Sequence, residues 1–486
     1  MEDEGGVSSN HPRQASGRLQ SEPMTSPPNS HLARRLGWPD AAAIIVSNVI
    51  GGGILFTPPQ VAASVQNPWL FLTVWWVGGL LAFAGAMAYA ELAALHPRAG
   101  GEYVYLKAAY GRLAGFLTGW TSFVAGFSGA IAVSAVVMAS YVGRFVPAAG
   151  DAAPLLVVPL PWVPLTVSRQ SLVALAAIAL TAWIHLRGLG PGRIVGNILA
   201  ALKVSALVIF IAMGFSFGAG SMTNLQSSAG GVSAAPWLLA LIPVMFTYSG
   251  WNAATYVAEE IREPGRNVPL ALGVGTVAVV AIYSCLNLLY LYVMPIGELA
   301  AVQGSVLDII ADKLLGARAG DIMGAVSIVS LAASISAMTL AGPRVYYAMA
   351  RDGLFFRSAA RIHPRFQTPA TAIVAQAVWS GLLVLSGGAS ALTRYTGFAI
   401  VLFAGLAVSA LFVLRRCEPN APRPFKAFGY PAAPAVFAVA SFLMVVAAIY
   451  NDAGPSGAGL LVITAGVPLY LIFDRRRGRP ENVAQA

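Results

Sequence analysis

Gly51, Gly52 and Gly53 interrupt the first long apolar segment of the chain, and Ser249-Gly250 interrupts another about five spans later. Backbone that leaves a helix at membrane depth frees N–H and C=O groups that hydrocarbon cannot satisfy, so such a break persists only where it lines a protein cavity or binds something. The chemistry on offer is that of bare backbone. A half-helix that begins at Gly53 presents unpaired N–H groups and the positive end of a dipole, which suits a carboxylate. A half-helix that ends near Val49 leaves carbonyls that suit an ammonium. Phe246 and Ser249 supply carbonyls ahead of Gly250, and a second half-helix is expected to run through Trp251, Asn252 and Tyr256 to Glu259. Such a site holds a zwitterion without a charged side chain. Glycines also let membrane helices pack closely, but three in succession unwind a helix better than they pack it. Paired interruptions in two halves of a chain point to a secondary transporter.

Lys203 is the second chemical feature. Counted from Arg193 at helical rise, it lies roughly 15 Å into the membrane, too deep to snorkel easily. One reading is a structural lysine that bonds carbonyls at the first break and stands in for a bound cation. The other is a lysine that gives up and regains a coupling proton. The residues leave both open. Phe246, directly at the second break, is expected to close over the substrate as a lid. Small residues from Ala125 to Val133 are expected to shape part of the side-chain pocket, and its lack of charge favours neutral substrates.

Other groups carry less. Glu91, Glu102, Glu259, Glu260 and Glu263 fall near cytoplasmic span ends beside Arg98, Arg262 and Arg266, where solvated surface pairs of little energetic weight are expected, with a cytoplasmic gate built from some of them as the alternative. A membrane enzyme would need catalytic groups at depth. The sequence has no His-Glu-x-x-His, no paired mid-membrane Asp and no Ser/His couple, and His185 is expected at an interface beside Arg187. No catalytic residue, metal ligand or cofactor motif is therefore assigned.

The scaffold for these groups is legible in composition. Of 486 residues, 57% are hydrophobic and 10% charged, against roughly 25% charged in soluble domains. This is the composition of an integral, multi-pass membrane protein. Apolar stretches long enough to span a bilayer recur at about 39–64, 68–93, 113–143, 170–187, 194–217, 236–259, 268–294, 319–345, 369–386, 392–414, 432–450 and 457–473. The expectation is an all-α fold of twelve transmembrane helices. Spans 1 and 6 are broken, and an odd number of spans per repeat inverts the second copy. The repeats then cover about 38–217 and about 236–414, with two extra helices at about 432–473.

Of the 30 Lys and Arg residues, 24 fall in the termini and the loops on one side. Arg144, Arg169, Lys313, Arg318 and Arg394 fall on the other, so the positive-inside bias places both termini in the cytoplasm. The net charge of +10 is thereby a topology signal, and no nucleic-acid partner is expected. Residues 1–37, rich in Ser, Pro and Asn and without a signal-peptide core, are expected to form a disordered cytoplasmic tail, and residues 475–486 a second tail around a 38–474 transporter domain. Cys285 lies in a span and Cys417 in a cytoplasmic loop. The outer loop at about 144–168 has no cysteine, and the chain has no Asn-x-Ser/Thr sequon. A disulfide-linked heavy chain is not expected.

With these residues in hand, the chain resembles the amino acid–polyamine–organocation superfamily, and within it the L-type amino acid transporter group and its bacterial relatives. The stretches that carry the resemblance run in order from Val49-Ile50-Gly51-Gly52-Gly53-Ile54 and Pro97-Arg98-Ala99-Gly100-Gly101-Glu102-Tyr103 to Phe246-Thr247-Tyr248-Ser249-Gly250-Trp251-Asn252. After them come Glu259-Glu260-Ile261 with Arg266-Asn267-Val268-Pro269, Pro343-Arg344-Val345-Tyr346-Tyr347, and Arg423-Pro424-Phe425-Lys426. The resemblance implies a LeuT-like five-plus-five inverted repeat and an α-amino acid bound between spans 1 and 6. The carboxylate would lie on Gly51, Gly52 and Gly53, and the amine on the carbonyls of Val49, Phe246 and Ser249. Phe246 would be the closing aromatic, and Lys203 would fill a sodium position, so that transport needs no sodium. Many members carry Ser where this chain has Gly52. The lack of an outer cysteine marks a stand-alone permease of a bacterial inner membrane. The function expected is alternating-access exchange of neutral L-amino acids, with proton symport through Lys203 or a non-transporting sensor as alternatives.

Overall fold

The computed structural model describes residues 32–161, 164–217, 220–226, 234–316, 318–387, 389–451 and 453–477. The predicted tail over residues 1–31 and the end of the chain from 478 lie outside them.

Each predicted apolar stretch falls on helix. Gly37 N–H donates to Asp40 Oδ2 at 2.8 Å and Pro39 occupies the first turn, which starts α1 (Trp38–Val49). After the glycines the chain resumes as α2 (Gly53–Ser64), bent 48° from α1. Asn67 Oδ1 accepts the N–H groups of Trp69 and Leu70 at 3.0 and 3.1 Å to cap α3 (Pro68–Leu95). A loop leads to α4 (Glu102–Tyr110), then to α5 (Arg112–Thr121), which passes through a wide π-turn at 122–126 into α6 (Phe127–Phe145). A hairpin of β1 (Pro154–Val158) and β2 (Leu165–Ser168) precedes α7 (Arg169–Leu186) and α8 (Leu189–Phe217).

The second half begins with α9 (Ala234–Tyr248) and the single turn α10 (Ala253–Tyr256), before α11 (Pro264–Val293). Two short helices, α12 (Ile296–Ala301) and α13 (Val306–Leu315), lead to α14 (Ala319–Arg351). The chain ends with α15 (Ala370–Leu385), α16 (Ala389–Cys417), α17 (Ala432–Asn451), α18 (Ala453–Thr464) and α19 (Gly466–Arg477). Among the described residues, nine helices are long and apolar enough to cross a membrane, the bent pair α1–α2 makes a tenth candidate, and α9 and α15 are apolar but shorter. α3 packs along α11 and α6 along α14, while α2 lies against α9 and α1 against α8, α11 and α14.

Three expectations are corrected. Residues 32–37 are not tail: Leu36 is buried and bridges to Ile261, and Arg35 and Leu36 donate to the Glu260 carbonyl at 2.9 and 3.0 Å. At the other end, α19 continues to Arg477, past the predicted tail boundary at 475. The half-helix expected from Trp251 to Glu259 is reduced to the one turn of α10 and a 3-10 turn at 258–260.

Glu91 and Glu260 are not solvated either. Glu260 and Arg344 form a bidentate pair at 2.8 and 3.1 Å with both side chains almost wholly buried. Glu91 is buried with Arg415 at 2.6 Å and Arg423 at 3.3 Å, and also accepts the Ala427 N–H at 2.7 Å. Burial changes their energetics, because breaking one partner strands a desolvated charge. Glu260→Ala is expected to cost about 3–5 kcal/mol, seen as a fall in the thermal midpoint of the detergent-purified protein. Replacing both partners by apolar residues should recover most of that fall.

Candidate substrate-binding site

The two breaks meet. Gly250 adopts φ +101°, and an added Cβ there would lie 2.5 Å from Asn48 Nδ2, so a side chain cannot replace it. Asn48 Nδ2 in turn donates to the Gly250 carbonyl at 3.4 Å. Gly53 sits against α9 so closely that a Cβ would be 2.9 Å from Thr247 Cγ2 and 3.0 Å from Thr247 Cα. Thr247 Oγ1 bonds Thr57 Oγ1 of α2 at 2.8 Å. Gly51 faces Ser334 of α14, with its added Cβ 3.1 Å from Ser334 Oγ, whereas nothing lies within 4 Å of a Cβ on Gly52. No side chain caps the first turn of α2, the kind of helix end that favours an anion, although Leu55 N–H there already donates to the Gly52 carbonyl at 3.1 Å.

The carbonyl end of α1 is closed by side chains. Lys203 is fully buried, and its Nζ donates to the Ser47 carbonyl at 3.0 Å and to the Ile50 carbonyl. Ser334 Oγ reaches the same two oxygens at 2.8 and 3.3 Å. Tyr283 of α11 donates its hydroxyl to the Val49 carbonyl at 2.9 Å, with the Thr247 carbonyl at 3.4 Å. Two of the three carbonyls expected near an ammonium already have partners here: Val49 has Tyr283, and Phe246 accepts the Ser249 N–H at 3.0 Å. Each carbonyl oxygen retains a second lone pair. Phe246 is half-buried, its ring 3.4 Å from the Cβ position of Gly397 on α16.

Asn252 stands apart from the other predicted contacts. Its amide donates to Glu102 Oε1 at 2.7 Å and to Tyr256 Oη at 3.1 Å, which ties the segment after the second break to α4. His185, expected at an interface, is buried and 2.9 Å from Ser336 Oγ. It lines a cavity of about 20 Å³ with Asp40, Ser47, Asn197 and Ser336, room for about one water molecule.

Sequence reasoning missed Tyr283, Ser334, Thr247 and Asn48. They are ordinary residues in membrane helices, and only the fold brings Tyr283 to a carbonyl far away in the chain.

Both ends of the helices around the site are fastened. At one end, Leu32 and Ala99 donate their N–H groups to Glu259 at 3.4 and 3.1 Å, and Arg351 bonds the same carboxylate at 3.2 Å. At the other end, Arg144 at the end of α6 engages Asp321 at 2.6 Å, Asp308 at 3.2 Å and Asp312 at 3.9 Å. Burial pushes the Asp308 carboxyl up to about 6, against the opposing pull of Arg144.

A bent, glycine-broken helix facing a second break inside a multi-pass apolar bundle is the arrangement of a membrane transporter. The chain belongs to the amino acid permease family, whose profile matches residues 36–473, and within the amino acid–polyamine–organocation superfamily to the L-type group. It is similar to the Homo sapiens "Large neutral amino acids transporter small subunit 2", 30% identical over 451 residues that cover 91% of this chain and 80% of that one. The Homo sapiens "b(0,+)-type amino acid transporter 1" is 30% identical over 455 residues, 92% of this chain and 89% of that one. The Mus musculus "Asc-type amino acid transporter 1" is 28% identical over 458 residues, 93% and 83% of the two chains. The chain is thus an integral membrane transport protein and not an enzyme.

Substitution at the glycines should separate packing from open space. Gly53→Ala forces α2 away from the α9 backbone, an overpacking strain of about 1–3 kcal/mol, and should abolish most uptake. Gly52→Ser enters open space and should leave uptake near wild type. For Asp308, the raised folded pKa means the buried carboxylate is penalised when charged. That penalty is absent at low pH and fully present above about 6. The thermal midpoint should therefore rise as pH is lowered through about 6, and Asp308→Asn should flatten that rise.

Proposed function

We propose that the chain is a sodium-independent exchanger of neutral L-amino acids working by alternating access. The observation that carries this reading is the uncapped N-terminal turn of α2 at Gly51–Gly53, set against the α9–α10 break. The substrate carboxylate would lie on the N–H groups of Gly51, Gly52 and Gly53. The ammonium would lie on carbonyls of Val49, Phe246 and Ser249, displacing Tyr283 or using the free lone pairs. Phe246 would close over it, with Gly250 as the hinge. Asn252 would act by tethering the moving segment. Relatives named for large neutral amino acids support the neutral class.

Lys203 supports sodium independence, because its ammonium occupies the carbonyls that a cation at the α1 end would need. The same contacts favour a fixed charge over a proton carrier, since two carbonyl acceptors stabilise the ammonium form. For topology we favour twelve spans in two inverted five-helix repeats plus two. The equivalent pairings of α3 with α11 and α6 with α14 support this arrangement. The excess of Lys and Arg on one side supports cytoplasmic termini. The cysteine-free outer loop supports a stand-alone permease without a disulfide-linked heavy chain, in a bacterial inner membrane.

Uptake of labelled neutral amino acids into proteoliposomes, with no ion gradient, tests the proposal. Uptake only when unlabelled amino acid is inside would establish exchange. Uptake into empty vesicles that requires an inward proton gradient would replace exchange with proton symport and return Lys203 to a proton-carrying role. Ligand binding without uptake under any condition would make the chain a sensor.

A further inference from the structure

Among the described residues, Glu102 is the one buried carboxylate that no cation faces. It opens α4 in the loop after α3, is 8% exposed, and accepts Tyr89 Oη and Asn252 Nδ2, each at 2.7 Å. Its sister carboxylates all face arginine: Glu91 with Arg415 and Arg423, Glu259 with Arg351, Glu260 with Arg344. Lys107 on the same helix is held by Asp352. The titratable groups facing Glu102 are Tyr89 from α3, Tyr105 from α4 and Tyr256 from α10, all neutral at physiological pH. A carboxylate desolvated among neutral donors is costly, and protonation is the ordinary relief.

The site is also placed to feel movement. Asn252 lies just beyond the Gly250 hinge, and Tyr256 closes the single turn of α10. The loop before Glu102 presses on the same turn: Gly100 N–H donates to the Tyr256 carbonyl at 3.1 Å, and Gly101, at φ +49°, leaves only 2.6 Å between an added Cβ and the Tyr256 ring. When α10 moves away at this end of the bundle, Glu102 loses Asn252 and Tyr256 and gains water.

We infer that the Glu102 carboxyl is a proton-binding site linked to opening of this end of the transporter. It holds a proton while Tyr89, Asn252 and Tyr256 enclose it, and gives that proton to water on the same side when α10 swings away. The proton returns to Glu102 as the end closes again. No proton crosses the membrane, so pH sets the rate of opening rather than driving transport. Burial raises the Glu102 carboxyl above the usual carboxylate range, with the bonds from Tyr89, Tyr256 and Asn252 opposing it.

The inference rests on the exchange reading, and the test separates the two. Exchange of labelled for unlabelled neutral amino acid is measured in proteoliposomes with the same pH on both faces, from about pH 5 to about pH 9. The wild type should exchange at least about threefold faster at the alkaline end, as proton release frees α10. Glu102→Gln, a neutral isostere, should give a flat profile at the acid-end rate, and Glu102→Asp should keep a pH dependence. Tyr89→Phe removes a donor to the carboxylate and should move the midpoint to higher pH, which a purely structural tyrosine would not do. It also serves as the decisive variant if Glu102→Gln does not fold. A pH-independent wild type, a Glu102→Gln profile that matches wild type, or an unmoved midpoint in Tyr89→Phe would overturn the inference. Absence of exchange in every protein at every pH would instead sink the exchange reading.

Discussion

A helix that unwinds inside an apolar bundle must find partners for the backbone groups it frees, and the rest of this structure is organised around that demand. The last carbonyls of α1 cannot be solvated by lipid, at a cost of several kcal/mol each if left bare. Lys203 and Ser334 take those of Ser47 and Ile50, and Tyr283 takes that of Val49. Three different helices, α8, α14 and α11, thus converge on one helix end. The N-terminal turn of α2 on the far side of the same break receives no side-chain cap. This asymmetry is what the proposed site rests on: one end of the break is satisfied by side chains, and the other has no side-chain cap.

Ion pairing obeys a related logic at the ends of the bundle. Desolvated pairs such as Arg344–Glu260 add little net stability over apolar packing, but they are expensive to break singly. They fix how the segment after α10 meets α14. Residues 32–37 are laced to that same segment through the Glu260 carbonyl. The segment before α1 and the segment after α10 are therefore tied to each other, a coupling that the proposed alternating access would use. The Arg144 cluster at the opposite end is more exposed and shared among three aspartates, so it is a weaker fastening that opens with less disruption.

What the sequence disclosed was mostly backbone. Three glycines in a row, a Ser-Gly pair and a lysine at membrane depth are locally abnormal, and each stands at the site. What it concealed was tertiary. Tyr283 and Ser334 become important only because α11 and α14 pass the end of α1, and no local pattern marks a tyrosine that will meet a carbonyl from another helix. Charge misled for a different reason. Glutamates near span ends usually reach water, yet Glu91 is covered by α16 and the segment after it, Glu102 by Tyr89 and Asn252, and Glu260 by Arg344. Composition does not report such covering.

Hinge and tether lie within a few residues of each other, and this closeness bears on substrate choice. Gly250 frees the backbone to rotate, while Asn252 and Tyr256 hold the adjoining turn to Glu102 and the Gly100 N–H. On the proposed reading, a substrate that bonds the backbone around Gly250 engages the same short segment that those tethers hold. On the same reading, the ring of Phe246 offers a substrate side chain shape and no charge. A charged side chain would then be buried there unpaired, a cost that weighs against charged substrates.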